Sequence, residues 1–211
     1  MRKVVVLLAV LVLAVSAHAQ VKVYINDHFE SGTLEGWTIY EGGRLATQFL
    51  FNDPYSPPSG EHWGVGQDAW GGTVDGGIFK RFEDEFIPNQ VKTITALVEA
   101  FSTDWNFNPT PNHVGIRLGL DPNGGTNPDS QSIIWTDWYW GPWTYITLQY
   151  PCEQGWETVF VDWYAPWATG PMVAKVDLIT VEQPIPEPSS ILVLGTGLLG
   201  FAGIALRRIK R

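Results

Sequence analysis

Cysteine is almost missing from this chain: Cys152 is the only one in 211 residues. An intramolecular disulfide is therefore excluded, and stability must come from a packed core, with or without a metal. His28, His62 and His113 lie far apart in the sequence, and no HExxH or comparable metal-ligand spacing is present. A nucleophile motif is lacking, as is a phosphate-cradling glycine loop that leads into a helix. Nothing near Cys152 supplies a paired histidine with an orienting residue, so Cys152 reads as a small buried side chain. Catalysis has no positive support in these patterns, and the chain reads as a non-enzyme.

Positive charge is scarce except at the two ends. Arg2 and Lys3 precede the apolar run Val4 to Val15, and Ala17-His18-Ala19 supplies small residues at −3 and −1. Residues 1–19 thus form a secretory signal peptide, with signal peptidase expected to cut before Gln20. At the other end, Pro-rich residues lead into the apolar run Ile191 to Leu206, followed by Arg207, Arg208, Lys210 and Arg211. At ~1.5 Å per residue that run makes about 24 Å of helix, which with Ser189 and Ser190 approaches the ~30 Å hydrocarbon core. A transmembrane helix over 191–206 is expected, its basic stop on the cytoplasmic side and the preceding domain outside. Gly195, Gly197, Gly200 and Gly203 weaken that helix and suit close helix contacts or a short-lived anchor. Between the ends only 7 of the 13 basic residues remain, against 21 of the 22 acidic ones. A domain this acidic repels nucleic acid and anionic lipid, so neutral glycans or divalent cations are its better partners.

Pro186-Glu187-Pro188, the short glycine-rich apolar span and the basic end resemble, in that order, the PEP-CTERM sorting tail of Gram-negative, exopolysaccharide-producing bacteria. The resemblance covers residues 184–211. It implies recognition of Pro186 to Pro188 by a membrane protease of the exosortase type, transient residence in the inner membrane, and delivery to the cell surface or extracellular matrix. The tail would then be an address, absent from the mature product.

Residues 20–183 remain as one domain, long enough for a real core. Period-2 alternation recurs in "KTITALVEAF", "HVGIRLGL", "TYITLQY", "ETVFVDWY" and "AKVDLITVE", with glycine and proline punctuating "NDPYSPPSG", "AWGGTVDGG", "NFNPTPN" and "DPNGGTNPD". Many short strands parted by turns predict an all-β antiparallel sandwich. The oxygen-rich segment Asp121, Asn123, Thr126, Asn127, Asp129 reads first as a turn bonding its own backbone, and second as a cation cage. Glu83, Asp84 and Glu85 read as a solvated charge run at a strand end, with a pair of hydrolytic carboxylates as the other possibility.

"DHFESGTLEGW", Asp27 to Trp37, resembles the opening of jelly-roll carbohydrate-binding modules. "GLDPNGGTNPDSQSIIW", the Trp-Thr strand at Trp143 and the last strand with Asp177 resemble galactose-binding-like jelly rolls. The resemblance implies a jelly-roll sandwich with a structural calcium joining first and last strands, held by Glu30 and Asp177 with main-chain carbonyls.

All eleven tryptophans lie in the domain. In "TDWYWGPWTY", Ile146, Leu148 and Tyr150 share one strand face and should meet the core, leaving Trp143 and Tyr145 on the other. Asp137, Gly141 and Pro142 interrupt pairing, which predicts Trp138, Tyr139 and Trp140 in a loop at the sandwich rim. Exposed rings in a contiguous patch mark a binding surface. Indole stacks on the apolar C–H face of a sugar while Asp137, Asp162 or Gln149 bonds its hydroxyls. Trp163 and Trp167 form a second candidate platform. The function expected is non-catalytic glycan binding in a polysaccharide matrix. A purely structural or adhesive matrix protein and a small polysaccharide-degrading enzyme stay open.

Overall fold

A computed structural model describes residues 20–29, 31, 33–34, 36–41, 47–52, 63–68, 74–85, 87, 90–102, 114–165 and 172–185. The signal peptide, Glu30, Trp167, the sorting motif Pro186 to Pro188, the span 191–206 and the basic stop lie outside them. Among the described residues no helix is long and apolar enough to cross a membrane. The chain divides into Val23–Gln183 and a unit joining Met1–Lys22 with Pro184–Arg211. Only 20–22 and 184–185 of that second unit are described.

Every described element is a strand: β1 (Gln20–Asp27), β2 (Thr38–Glu41), β3 (Thr47–Asn52), β4 (Trp63–Asp68), β5 (Val74–Asp84), β6 (Val91–Ser102), β7 (Gly115–Asp121), β8 (Ile134–Trp135), β9 (Gly141–Pro151), β10 (Gly155–Ala165) and β11 (Met172–Ile185). They form two antiparallel sheets, an all-β sandwich of jelly-roll type. One sheet runs β3-β4-β11-β6-β9 with β1 also paired to β11, and the other runs β2-β5-β10-β7-β8.

The alternation in each strand explains its placement. Ile94, Ala96, Val98 and Ala100 of β6 are buried, as are Ile116, Leu118 and Leu120 of β7 and Val159, Val161 and Trp163 of β10, which join one core. Burying each such aliphatic side chain contributes ~1.5–3 kcal/mol, enough to set which face turns inward. β9 behaves as its pattern predicts: Leu148 joins the core while Ile146 and Tyr150 pack against it. A bulge at Leu178, with φ of +30°, shifts the register of β11 against β6.

Candidate functional site

The outer face of the five-stranded sheet is built as three rows across the strands. The first is Thr38, Phe79, Phe160, Gly119 and Trp135. The second is Tyr40, Gly77, Asp162 and Arg117. In the third, Tyr164 pairs with Gly115, and Trp138 lies over that glycine. The strand residues of these rows share a face because their positions differ by even steps within each strand.

Three glycines make the rows possible. A Cβ on Gly119 would collide with the ring of Trp135, one on Gly77 with the Val161 carbonyl and the phenol of Tyr40, and one on Gly115 would stand 3.0 Å from Trp138 Cε3. Each ring therefore crosses a neighbouring strand where that strand carries no side chain, a common reason for glycine inside a strand. Trp135 reaches Phe160, whose ring centroid lies 5.9 Å away, and Phe160 packs against Phe79 and Tyr40. This is a second apolar layer outside the main core.

Asp162 sits in the middle of that layer and is buried. Its Oδ1 accepts from the Tyr40 hydroxyl at 3.0 Å, and its Oδ2 accepts from Arg117 Nε at 2.8 Å and Nη2 at 2.7 Å. A buried carboxylate needs such partners. The guanidinium of Arg117 lies 4.0 Å from the ring centre of Trp135 and 4.1 Å from that of Trp138. Stacked between two indoles and tied to Asp162, it is held in one orientation. Asp162 engages only two of its five N–H donors.

Next to Arg117 the layer opens to solvent. Trp138 is 43% exposed and Tyr164 38%, and their rings lie 6.0 Å apart at 41°. Asp137, also exposed, precedes Trp138. Aromatic faces and fixed cationic donors make a shelf suited to a ligand with apolar C–H faces and hydrogen-bonding edges. At the far end of β10, exposed Trp156 carries the Arg81 guanidinium at 5.0 Å.

Of the residues expected at the rim, Trp138 and Asp137 are exposed. The other rings of the expected rim do not join them. Tyr139 bridges to Ile116 through Ile116 N–H to Tyr139 O at 2.9 Å and Tyr139 N–H to Ile116 O at 2.7 Å, so pairing continues past Asp137. Its phenol donates to the Pro142 carbonyl at 2.5 Å, and burial, then Glu99, push its pKa up. Trp140 packs against the core with Tyr139, and its indole N–H has no hydrogen-bond partner among the described residues. Trp143, half-buried, lies on β9 in the other sheet, where the register of β9 against β6 shifts.

Trp163 corrects the second platform. It is 1% exposed and belongs to the core, because Val159, Val161 and Trp163 point inward while Phe160, Asp162 and Tyr164 point out. Trp167 lies outside the described residues. Asp84 corrects the solvated charge run: Glu83 and Glu85 are exposed, but Asp84 is buried between them and pairs with Lys92.

For the calcium expectation, Glu30 is not described. Asp177 is buried beside the β11 bulge, where Oδ1 accepts from the Leu178 N–H at 2.6 Å. No group of three histidine, cysteine or acidic side chains placed to hold a metal occurs among the described residues. The oxygen-rich segment bonds its own backbone: Asp121 Oδ1 accepts from Asn123 N–H at 2.9 Å and Asn127 Oδ1 from Asp129 N–H at 3.1 Å. Cys152 is buried, and burial raises its thiol pKa, as in an unreactive core cysteine.

Arg117, Trp135, Tyr164, Tyr40 and the three glycines were not singled out from sequence. A signal was present: Gly115, Arg117 and Gly119 alternate on one face of "GIRLGL", leaving two vacancies beside a charge.

Comparisons with known proteins agree with this architecture. Residues 184–209 match the PEP-CTERM protein-sorting motif, which implies export and membrane-associated sorting. No curated protein matches the sequence. Among solved structures, the chain is similar to TmCBM61, determined in complex with beta-1,4-galactotriose, at 13% identity and a TM-score of 0.51 over 76% of this chain and 97% of that one. It is also similar to the enzymatically active domain of bacteriophage CBA120 tailspike protein 4, at 8% identity and 0.53 over 75% of this chain and 21% of that one. The CBM22-1 xylan-binding domain of Paenibacillus barcinonensis Xyn10C aligns at 14% identity and 0.46, over 79% and 97% of the two chains. At such identities the likeness is one of fold. The chain therefore combines a β-sandwich that shares its fold with TmCBM61 and a match to the PEP-CTERM protein-sorting motif over residues 184–209.

Proposed function

We propose that the sandwich is a non-catalytic glycan-binding module. In this account signal peptidase and an exosortase-type protease process the ends, and the domain reaches the cell surface or a polysaccharide matrix after a transient stay in the inner membrane. The observation that carries the binding reading is the Trp138–Tyr164 shelf beside the Arg117–Asp162 pair. Its rings would stack on a sugar, its remaining guanidinium donors would meet hydroxyl oxygens, and Asp137 would accept from hydroxyls at the rim. Asp162 is held by Tyr40 and Arg117, which suits a positioning role better than proton transfer.

The test is binding of the exported protein to an array of bacterial and plant polysaccharides, read by tryptophan fluorescence. A saturable ligand is expected. Trp138→Ala should weaken it at least about tenfold, because a central aromatic anchor is commonly worth ~2 kcal/mol or more. Absence of binding across the array would sink the module reading and leave a structural or adhesive matrix protein. Release of reducing sugar from any array member would move the reading to an enzyme.

We also propose that Glu30 and Asp177 share a structural calcium with main-chain carbonyls. The support is the burial of Asp177 at the bulge of the last strand. A melting temperature unchanged by chelator would remove both residues from that role.

A further inference from the structure

Three strands end their inner faces in a charge where an apolar residue would continue the pattern. β6 runs inward through Val98, Ala96 and Ile94 to Lys92, β10 through Val161 and Val159 to Glu157, and β5 through Phe82 to Asp84. Lys92 Nζ contacts both Asp84 Oδ2 and Glu157 Oε2, and the three side chains are 0%, 0% and 1% exposed. The Phe82 ring lies 5.7 Å and the Tyr150 ring 6.0 Å from that nitrogen. Asp84 is further held by two backbone donors: Glu85 N–H to Oδ1 at 2.8 Å and Glu153 N–H to Oδ2 at 3.1 Å. Glu157 Oε1 is buried with no hydrogen-bond partner among the described residues.

One carboxylate is enough to neutralise a buried lysine. A second against the same amine leaves an excess negative charge in a dry site, which is costly unless a proton is shared. Burial pushes the Glu157 carboxyl up to about 7, against the opposing pull of Lys92, with Asp84 and Glu153 adding to the rise. Glu157 is thus suited to hold a proton near neutral pH. Proton transfer within a buried ammonium–carboxylate contact leaves two neutral groups, which low dielectric tolerates better than ions.

We propose that Lys92 and Asp84 become joined by an intramolecular side-chain amide bond, with Glu157 as the acid–base group that promotes it. The Lys92 Nζ lone pair attacks Asp84 Cγ, forming the N–C bond. The Glu85 and Glu153 N–H groups face the two oxygens of that carboxyl and stabilise negative charge as it develops. Glu157 takes a proton from the attacking nitrogen and delivers one to the departing oxygen. The Cγ–O bond breaks, and one water leaves. Ammonium and carboxylate become amide and water with no oxidant or cofactor. The reacting groups are already in contact, so the step gains the advantage of a positioned intramolecular reaction. It also removes two charges from the core. The bond would tie β5 of one sheet to β6 of the other, a covalent staple in an exported chain that cannot form an internal disulfide.

The test is peptide mapping of the full exported protein by mass spectrometry after digestion with a glutamate-specific protease. Cleavage after Glu83, Glu85 and Glu99 should release Phe86 to Glu99 carrying Asp84-Glu85 as a branch on Lys92, lighter than its two parts by one water. Asp84→Asn should give the same linkage with loss of ammonia in place of water, and Glu157→Gln should give the unbranched peptide. A wild-type digest dominated by linear Phe86 to Glu99 with unmodified Lys92 would overturn the bond. A branch leading to Glu157 would overturn Asp84 as the acyl donor, and persistence of the branch in Glu157→Gln would overturn the role of Glu157. The mapping is done on denatured protein, so poor folding of a variant cannot mask the wild-type result.

Discussion

Trp138 and Trp163 carry the same side chain and meet opposite environments. Trp163 fills the core, whereas Trp138 stands over Gly115 against Arg117 and solvent. Trp163→Ala is therefore expected to cost ~3–5 kcal/mol in chemical denaturation, the range for an emptied aromatic site. Trp138→Ala should cost about 1 kcal/mol or less, mainly its contact with the guanidinium. The two variants should separate in the binding assay, with only Trp138→Ala weakening the ligand while the fold persists. Gly119→Ala places a methyl group against the Trp135 ring and the Ile133 side chain. A loss of ~1–3 kcal/mol is expected from overpacking, and unchanged melting would show that Trp135 does not cross the strand as described. Composition marked the tryptophans as important residues but could not assign these roles, because an indole is equally at home in a core and on a sugar-binding shelf.

At the scale of strands, the alternation was legible and its sense was only partly so. In "TYITLQY" one face is aliphatic and the other polar, so the inward set was evident. In "ETVFVDWY" both faces are apolar and aromatic, Val159, Val161 and Trp163 against Phe160, Asp162 and Tyr164, so periodicity alone could not choose. What chose was the neighbour on each side. Asp162 lies opposite Arg117 on β7 and Gly77 on β5, where a charge finds its partner and Tyr40 finds room. Asp162→Asn should therefore cost ~2–3 kcal/mol through loss of a charge-assisted pair to Arg117. Thermal melting would register it, and the guanidinium, released from its anchor, should also bind ligand less well.

At the scale of the whole molecule, the sorting motif and the sandwich make separate predictions. Replacing Pro186-Glu187-Pro188 with alanines should leave the protein in the membrane fraction, since the proposed processing signal is lost while the apolar run remains. Deleting residues 184–211 should release it from the membrane altogether. Fractionation followed by immunoblotting distinguishes these outcomes, and equal distribution of both variants with wild type would sink exosortase-type processing. Chelation should lower the melting temperature of the wild type if the calcium proposal holds.

The sequence by itself determined the sorting motif and the all-β class, because a contiguous address and a period-2 pattern are properties of neighbouring residues. Only the tertiary structure decided which aromatics meet solvent, that Arg117 is clamped between Trp135 and Trp138, and that Lys92 faces Asp84 and Glu157 in one dry pocket. The reason is physical. Arg117 and Asp162 are 45 residues apart, and Lys92 and Glu157 are 65 apart. What brings them together is strand register and sheet packing, set by the summed burial of the core and the interstrand hydrogen bonds, which no local pattern encodes.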